Sequence, residues 1–390
     1  MRAVSTALET DLDLNDFAGG DGVLFVRDGV GVAGRGVAAQ IPADDAALFL
    51  ASIDHHDLTG HASPIAIGTV PFIPGQPGEL IVPSVAVVKA ADGRRWVTRI
   101  DDDTPLAVAD APQPFAGSFR VTPLTPVATY LTAVTAARDA VRRGELTKAV
   151  IAREVAVQAD QPIDIHAVLR RLKASFGSSY RYSVDGLVGA SPELLVTVDG
   201  NLVRSHPLAG TAPRSGDPTT DAAVAAALLA STKDQVEHRV VIDMIHDTLL
   251  PWCSYLDWEP EPSVIAVANV QHLATLMEGQ LSEPRPNVIE LVRALCPTPA
   301  LGGFPREAAL ALIDRVEGFD RGRYGGAVGW VDASGNGTWA VTIRCAEFSD
   351  DRRAARLVAG GGIVAASDPA AELAETQAKL QAMLSAIVRP

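Results

Sequence analysis

Apolar positions along this chain fall into short alternating runs, separated by stretches in which they recur at helical spacing. Residues 23–41 read as strand, turn and strand, because Asp28-Gly29 lies between β-prone runs and Asp-Gly so placed suits a two-residue hairpin. From 65 to 97, apolar runs broken by Pro and Gly clusters predict further antiparallel strands. An acidic, proline-rich stretch over 100–126 reads as a surface connector. It divides the chain into 1–125, an N-terminal sheet subdomain with its connector, and 126–390.

Beyond the connector the period changes. Leu131, Val134 and Val141 share one face of a helix predicted over 127–143, and Gly144 stops it. A strand opened by Lys148 runs to about 157. Ile165, Val168, Leu169, Leu172 and Phe176 then mark a helix over 164–176. From Tyr180 to Arg214, Asp185-Gly186 and Asp199-Gly200 each sit between β-prone runs, which predicts three antiparallel strands in a meander. Counting back from a tight second turn sets Glu193 opposite His206, beside the Pro207-Leu208-Ala209-Gly210-Thr211 bend.

Asp217-Pro218 marks the start of an alanine-rich helix, and Thr232-Lys-Asp-Gln235 fits the capping box of another. In that second helix Val236, Val240, Met244 and Thr248 form an apolar stripe, with Glu237 one position off it. Strands follow near 327–331 and 338–344, then a glycine triplet at 360–362. A last helix starts at Asp368-Pro369 and runs to about 388, burying Leu373, Leu380, Leu384 and Ile387. Hairpins interspersed with long helices, without a strict β-α-β rhythm, define an α+β fold.

Composition narrows the partners. A net charge of −14 argues against nucleic acid and against an anionic membrane, whose binding relies on clustered Lys and Arg. An anionic ligand then requires cations gathered in a pocket. Cys253, Cys296 and Cys345 are far apart, which suggests neither a disulfide framework nor a zinc site. The N-terminal stretch lacks the apolar core of a signal peptide, so a reduced, cytoplasmic protein is expected.

Two motifs are set aside. Gly29-x-Gly31-x-x-Gly34 matches a dinucleotide fingerprint, but no helix opens at Gly34. His55, His56 and His61 suggest a metal site, yet adjacent histidines diverge on either a strand or a helix, so a solvated loop is expected there.

Glu372, Glu375 and Lys379, at i, i+3 and i+7, project from one helix face. They read either as an exposed Glu-to-Lys pair or as part of a site, since the nearby glycines let a ligand approach the backbone. Carboxylate donors without Cys or His clustering favour Mg²⁺. On pattern alone Glu193 is a solvated strand carboxylate.

The wording changes that reading. SPELL around Glu193, followed by PLAGTAPR, resembles the chorismate-utilising enzymes: isochorismate synthases, salicylate synthases, anthranilate synthase large subunits and aminodeoxychorismate synthases. The resemblance continues in order through KAVIAR, KDQVEHRVV, VQHLAT, PTPALGGFPREAA, GRYGGAVGW, VTIRCA, AGGGIVAASDP and ELAETQAK, spanning Lys148 to Lys379. It implies two large antiparallel sheets packed face to face, helices outside, and an active site between them. Carried over by position, it implies that Glu237 and Glu375 coordinate Mg²⁺, with Glu372 beside them. It assigns chorismate binding to Gly210, Thr211, His272, Ala300, Leu301, Tyr324, Ile343, Arg344, Gly360, Gly361 and Lys379, and places Thr275 in the same group of motifs.

Within that family the ammonia-using branches lack a lysine at the position of Lys148, whereas water-adding members keep it as the base. Lys148 as general base and a protonated Glu193 as general acid therefore imply isochorismate synthase. A salicylate synthase, which goes on to eliminate pyruvate, is the nearest alternative. PTPA with Ala300 and Leu301 resembles the isochorismate branch more closely. An amine-forming component or a non-catalytic chorismate binder fits Lys148 and Glu193 less well. A monomer is the family-based expectation.

Overall fold

The computed structural model describes residues 1–112, 115–267 and 270–389. Within them the apolar runs pair into a 13-stranded sheet, a 9-stranded sheet and a 3-stranded one. Pairing is antiparallel except between Arg2–Ala7 and Asp54–Asp57, which run parallel. The two large sheets pack face to face. Phe25, Val32, Tyr182 and Leu187 of the larger meet Ile65, Ile67, Leu194, Val328 and Ala340 of the smaller in one buried cluster. Burying each such large apolar side chain is worth roughly 1.5–3 kcal/mol.

The helices cover the outer faces. Leu169 and Leu172 of Ile165–Ser175 and Leu380 and Met383 of Pro369–Val388 pack on Val155, Val157 and Leu357 of the larger sheet. Val127–Arg142, Val288–Leu295 and Arg306–Glu317 contribute Val134, Leu291 and Leu312 to another cluster, shared with Val196 and Trp339. No helix among the described residues is long and apolar enough to cross a membrane.

Asp28-Gly29 and Asp185-Gly186 close hairpins as expected, all four residues having positive φ between 46° and 81°. That double left-handed conformation matches the twist of the flanking strands. The meander, however, is divided. Tyr180–Val184 and Leu187–Ser191 form a hairpin in the larger sheet, while Leu194–Asp199 and Leu202–His206 form one in the smaller. The chain changes sheets at Pro192-Glu193. The physical reason is that each hairpin closes on its own tight turn, Asp185-Gly186 in one and Gly200-Asn201 in the other, while Pro192 has no N–H with which to continue a ladder. The tight loop is Gly200-Asn201 rather than Asp199-Gly200, so Val198 pairs with Val203, and a bulge then leaves Leu194, not Glu193, opposite His206.

Strands preceding the connector pair directly with strands following it. Val23–Arg27 lies beside Tyr180–Val184, and Ile65–Val70 beside Ala327–Asp332. Residues 101–112 and 115–118 carry no helix or strand. Asp54–Asp57 is an edge strand rather than the expected loop, with His55 Nε2 2.8 Å from Ser5 Oγ.

Ser231, one residue before the expected cap, accepts from Asp234 N and starts Thr232–Leu249. The buried face of this helix is His238, Val241, Ile242, Ile245 and Leu249, and Val236 is 58% exposed. The expected stripe was rotated because a helix seated among several elements buries residues outside any single i, i+4 row.

Candidate active site

Lys148 is carried into the interior by the strand Lys148–Ala159, which pairs with Ala354–Ile363 so that Val150, Ile151 and Ala152 face Gly362, Gly361 and Gly360. A Cβ on Gly362 would lie 2.6 Å from Glu237 Oε1 and 2.7 Å from Lys148 Cε. Only glycine leaves room there for the Lys148–Glu237 pair, whose Nζ–Oε1 distance is 2.7 Å. Lys148 is 1% exposed.

Glu193 lines the same cavity from the bend between the sheets. Burial pushes its carboxyl up to about 8, although a Leu208 backbone hydrogen bond and the charges of Lys148 and Lys379 oppose the shift. At neutral pH Glu193 therefore holds its proton. One cavity thus contains an amine and a protonated carboxylic acid, carried by separate strand ends.

The remaining cavity groups form a cationic and polar cradle. Arg344 is buried, with its backbone in the left-handed region at φ 53°. That geometry costs a non-glycine residue about 1–3 kcal/mol, an expense tolerated chiefly at functional positions. Arg344 Nη2 lies 3.5 Å from His272 Nε2, and His272 Nδ1 is 3.3 Å from the Gly210 carbonyl and 3.1 Å from Thr211 Oγ1. Burial and the charges of Arg344 and Lys379 push His272 down to about 3, so the ring is neutral. The carbonyl contact requires Nδ1–H as donor, leaving Nε2 to accept from Arg344 and to orient the guanidinium. Lys379 Nζ donates to the Gly360 carbonyl at 2.9 Å and lies 2.6 Å from Glu375.

Glu237, Glu372 and Glu375 all line the cavity. Glu372 is buried, and its Oε2 has no hydrogen-bond partner. Burial, aided by the neighbouring Glu375 charge, pushes it up to about 7. Burial also opposes ionisation of Glu375, but Lys379, Lys233 and Arg344 outweigh it and lower its pKa. Among the described residues no three acidic, His or Cys side chains are drawn together into a ready-made ion site. The donor chemistry nonetheless fits Mg²⁺: the available ligands are carboxylate oxygens, one of them buried and unpartnered.

Of the residues expected from the sequence, Ala300, Leu301, Tyr324, Ile343 and Gly360 also line the cavity. Thr275 is buried, its Oγ1 2.8 Å from His238 Nε2, and is not among the residues lining the cavity. Gly361 does not line it either. It faces the helix layer, and a Cβ there would meet Glu372 Oε2 at 2.7 Å. Alternation along the strand is the reason: its neighbours 360 and 362 share one side of the strand, so 361 points to the other, toward Glu372. The sequence reading missed Lys233 and Asp234 on the first turn of Thr232–Leu249, and Val150 and Gly362. The strand period from Lys148 would have found Val150.

A family profile described as "Chorismate binding enzyme" matches residues 84–388. MenF of Mycobacterium tuberculosis is 43% identical over 343 residues, covering 85% of this chain and 88% of that protein. Isochorismate synthase DhbC of Bacillus subtilis is 37% identical over 340 residues, covering 84% and 82%. The solved structure of MenF, the menaquinone-specific isochorismate synthase of Escherichia coli, has a TM-score of 0.86 and covers 99% of this chain and 94% of its own. At 23% identity it speaks for the fold.

Proposed function

This chain belongs to the chorismate-binding enzyme family, and from that footing we propose that it is an isochorismate synthase, an isomerase acting on chorismate. The observation that carries the reading is the pairing of Lys148 and Glu193 within one cavity, with Glu193 retaining its proton at neutral pH. Lys148 takes a proton from the water that attacks C2 of the ring, and Glu237, 2.7 Å away, stabilises the ammonium that results. Glu193 donates its proton to the C4 hydroxyl, which departs as water. One C–O bond forms at C2, one breaks at C4, and both ring double bonds shift, C1=C2 becoming C1=C6 and C5=C6 becoming C4=C5. Water is consumed and released in equal amount.

Arg344 suits a planar, bidentate grip on a substrate carboxylate, and Lys379 supplies a point charge. His272, Gly210 and Thr211 fix the guanidinium and shape the wall beside it. Mg²⁺, bound by Glu237 and Glu375 with Glu372, would neutralise a carboxylate of chorismate. The same reading has the protein acting as a cytoplasmic monomer, for which size-exclusion chromatography is the check.

The test is incubation with chorismate and Mg²⁺ followed by chromatographic resolution of products. Isochorismate without salicylate or pyruvate supports the reading. Salicylate with pyruvate, an aminated product, or unchanged chorismate overturns it.

A further inference from the structure

Behind the cavity wall lies a buried ion pair that the reaction does not use. Glu317 ends the helix Arg306–Glu317, and Arg321 follows in the next loop; both side chains are 1% exposed. Arg321 Nε donates to Glu317 Oε2 at 2.8 Å. Burying two charges is expensive, and it is repaid only where the remaining donors and acceptors are also satisfied. Here they are satisfied by backbone. Arg321 donates to the Leu301 carbonyl at 2.8 Å and to the Val150 carbonyl at 2.6 Å, and Glu317 Oε1 accepts from Ala152 N at 2.6 Å.

The position of those backbone groups explains the pair. On this edge, Lys148 and Ala149 pair with Gly303-Phe304, and residues 155–159 pair with Phe119–Pro123. Between these two partners the strand has a gap, and the Val150 carbonyl and Ala152 N–H lie in it. The ion pair occupies the place a strand would take. The same guanidinium sits 4.4 Å over the Phe72 ring and 6.0 Å from that of Tyr324. One side chain therefore ties together the strand that carries Lys148, the loop that carries Leu301, and the wall at Tyr324.

We infer that Arg321, held by Glu317, is a positioning residue for catalysis: it fixes the strand bearing the base against the Leu301 wall of the substrate cavity. The inference rests on the reaction proposed above. A planar fork with several fixed donors is required, because a lysine ammonium cannot span the Leu301 and Val150 carbonyls and Glu317 in the same geometry.

The test compares Arg321→Lys and Glu317→Gln with the wild-type chain, using steady-state kinetics per folded protein and amide exchange across residues 298–304. Arg321→Lys lowers kcat by about 100-fold with KM changed by less than about threefold, the signature of displaced reacting groups rather than lost binding. Glu317→Gln keeps an acceptor for Ala152 N–H and loses only about tenfold, a partial rescue by the conservative change. Amide protection over 298–304 falls in Arg321→Lys. Unchanged kcat in the folded fraction, even with a lowered Tm, makes the pair merely structural and overturns the inference, as does a change confined to KM. If Arg321→Lys does not fold, Glu317→Gln decides by the same criterion. If the wild-type chain leaves chorismate unchanged, the reaction assignment fails by itself; exchange then decides, and unaltered protection over 298–304 refutes the positioning.

Discussion

Lys148 Nζ stands 2.7 Å from Glu237 Oε1, and both line the cavity that Glu193 enters from the bend at Pro192. A carboxylate that answers to an amine on one wall and a carboxylic acid that keeps its proton on another give the site its chemical polarity.

Glu193→Gln removes the donor while keeping its shape. Turnover falls by about 10²–10⁴-fold, the usual contribution of a positioned acid. Because Glu193 is pushed up to about 8, wild-type turnover declines on the alkaline side of that value. A pH–rate profile checks this, and the residual activity of the variant lacks that limb.

The same shift has a stability consequence. Glu193 keeps its proton in the folded chain up to about pH 8, whereas the unfolded chain releases it near the ordinary carboxylate pKa. Its contribution is therefore fully present in acid and is lost as pH rises through the folded value, by about 1.4 kcal/mol per pH unit in the interval. Thermal melts should show Glu193→Gln gaining Tm over wild type at pH 8 and little at pH 4.

Lys148→Ala abolishes measurable turnover, a loss of at least about 10²–10⁴-fold, with the circular dichroism spectrum of the wild type. Substantial remaining activity would remove its role as base.

Removing divalent metal with a chelator stops turnover, and Mg²⁺ restores it. Glu375→Ala raises the Mg²⁺ concentration for half-maximal activity by at least about tenfold, since even outer-sphere partners are worth that much. An unchanged titration would count against coordination at Glu375.

Gly362→Ala adds a Cβ that would lie 2.6 Å from Glu237 Oε1 and 2.7 Å from Lys148 Cε. Both neighbours are ends of flexible side chains, so the fold accommodates the methyl by moving the pair. Kinetics should show kcat reduced by at least about tenfold, with a Tm shift of only a few degrees.

Much of this arrangement was legible in the chain. Asp-Gly turns and Asp-Pro helix starts located hairpins and helices, because those signals act locally through φ and capping. What they could not specify was partnership between distant strands. Two good hairpin turns in succession looked like one sheet, whereas Pro192 transfers the chain to the opposing sheet. A tight turn placed at Asp199-Gly200, where the chain uses Gly200-Asn201, set Glu193 opposite His206 in a strand, yet the residue still reached the cavity. Gly361 shows the limit from the other side. A glycine triplet signals close approach, but only the strand register reveals that 362 makes room for Lys148 and Glu237 while 361 makes room for Glu372. Arg321 left no pattern at all, since the gap it fills is a property of the sheet edge.

The most direct measurement is the reaction of chorismate in water enriched in oxygen-18, with mass spectrometry of the product. If Lys148 activates water while Glu193 releases the old hydroxyl, isochorismate carries one solvent oxygen, located at C2. Isochorismate containing only the original oxygens would mean that the hydroxyl migrates within the substrate, and the opposed roles given to Lys148 and Glu193 would be wrong.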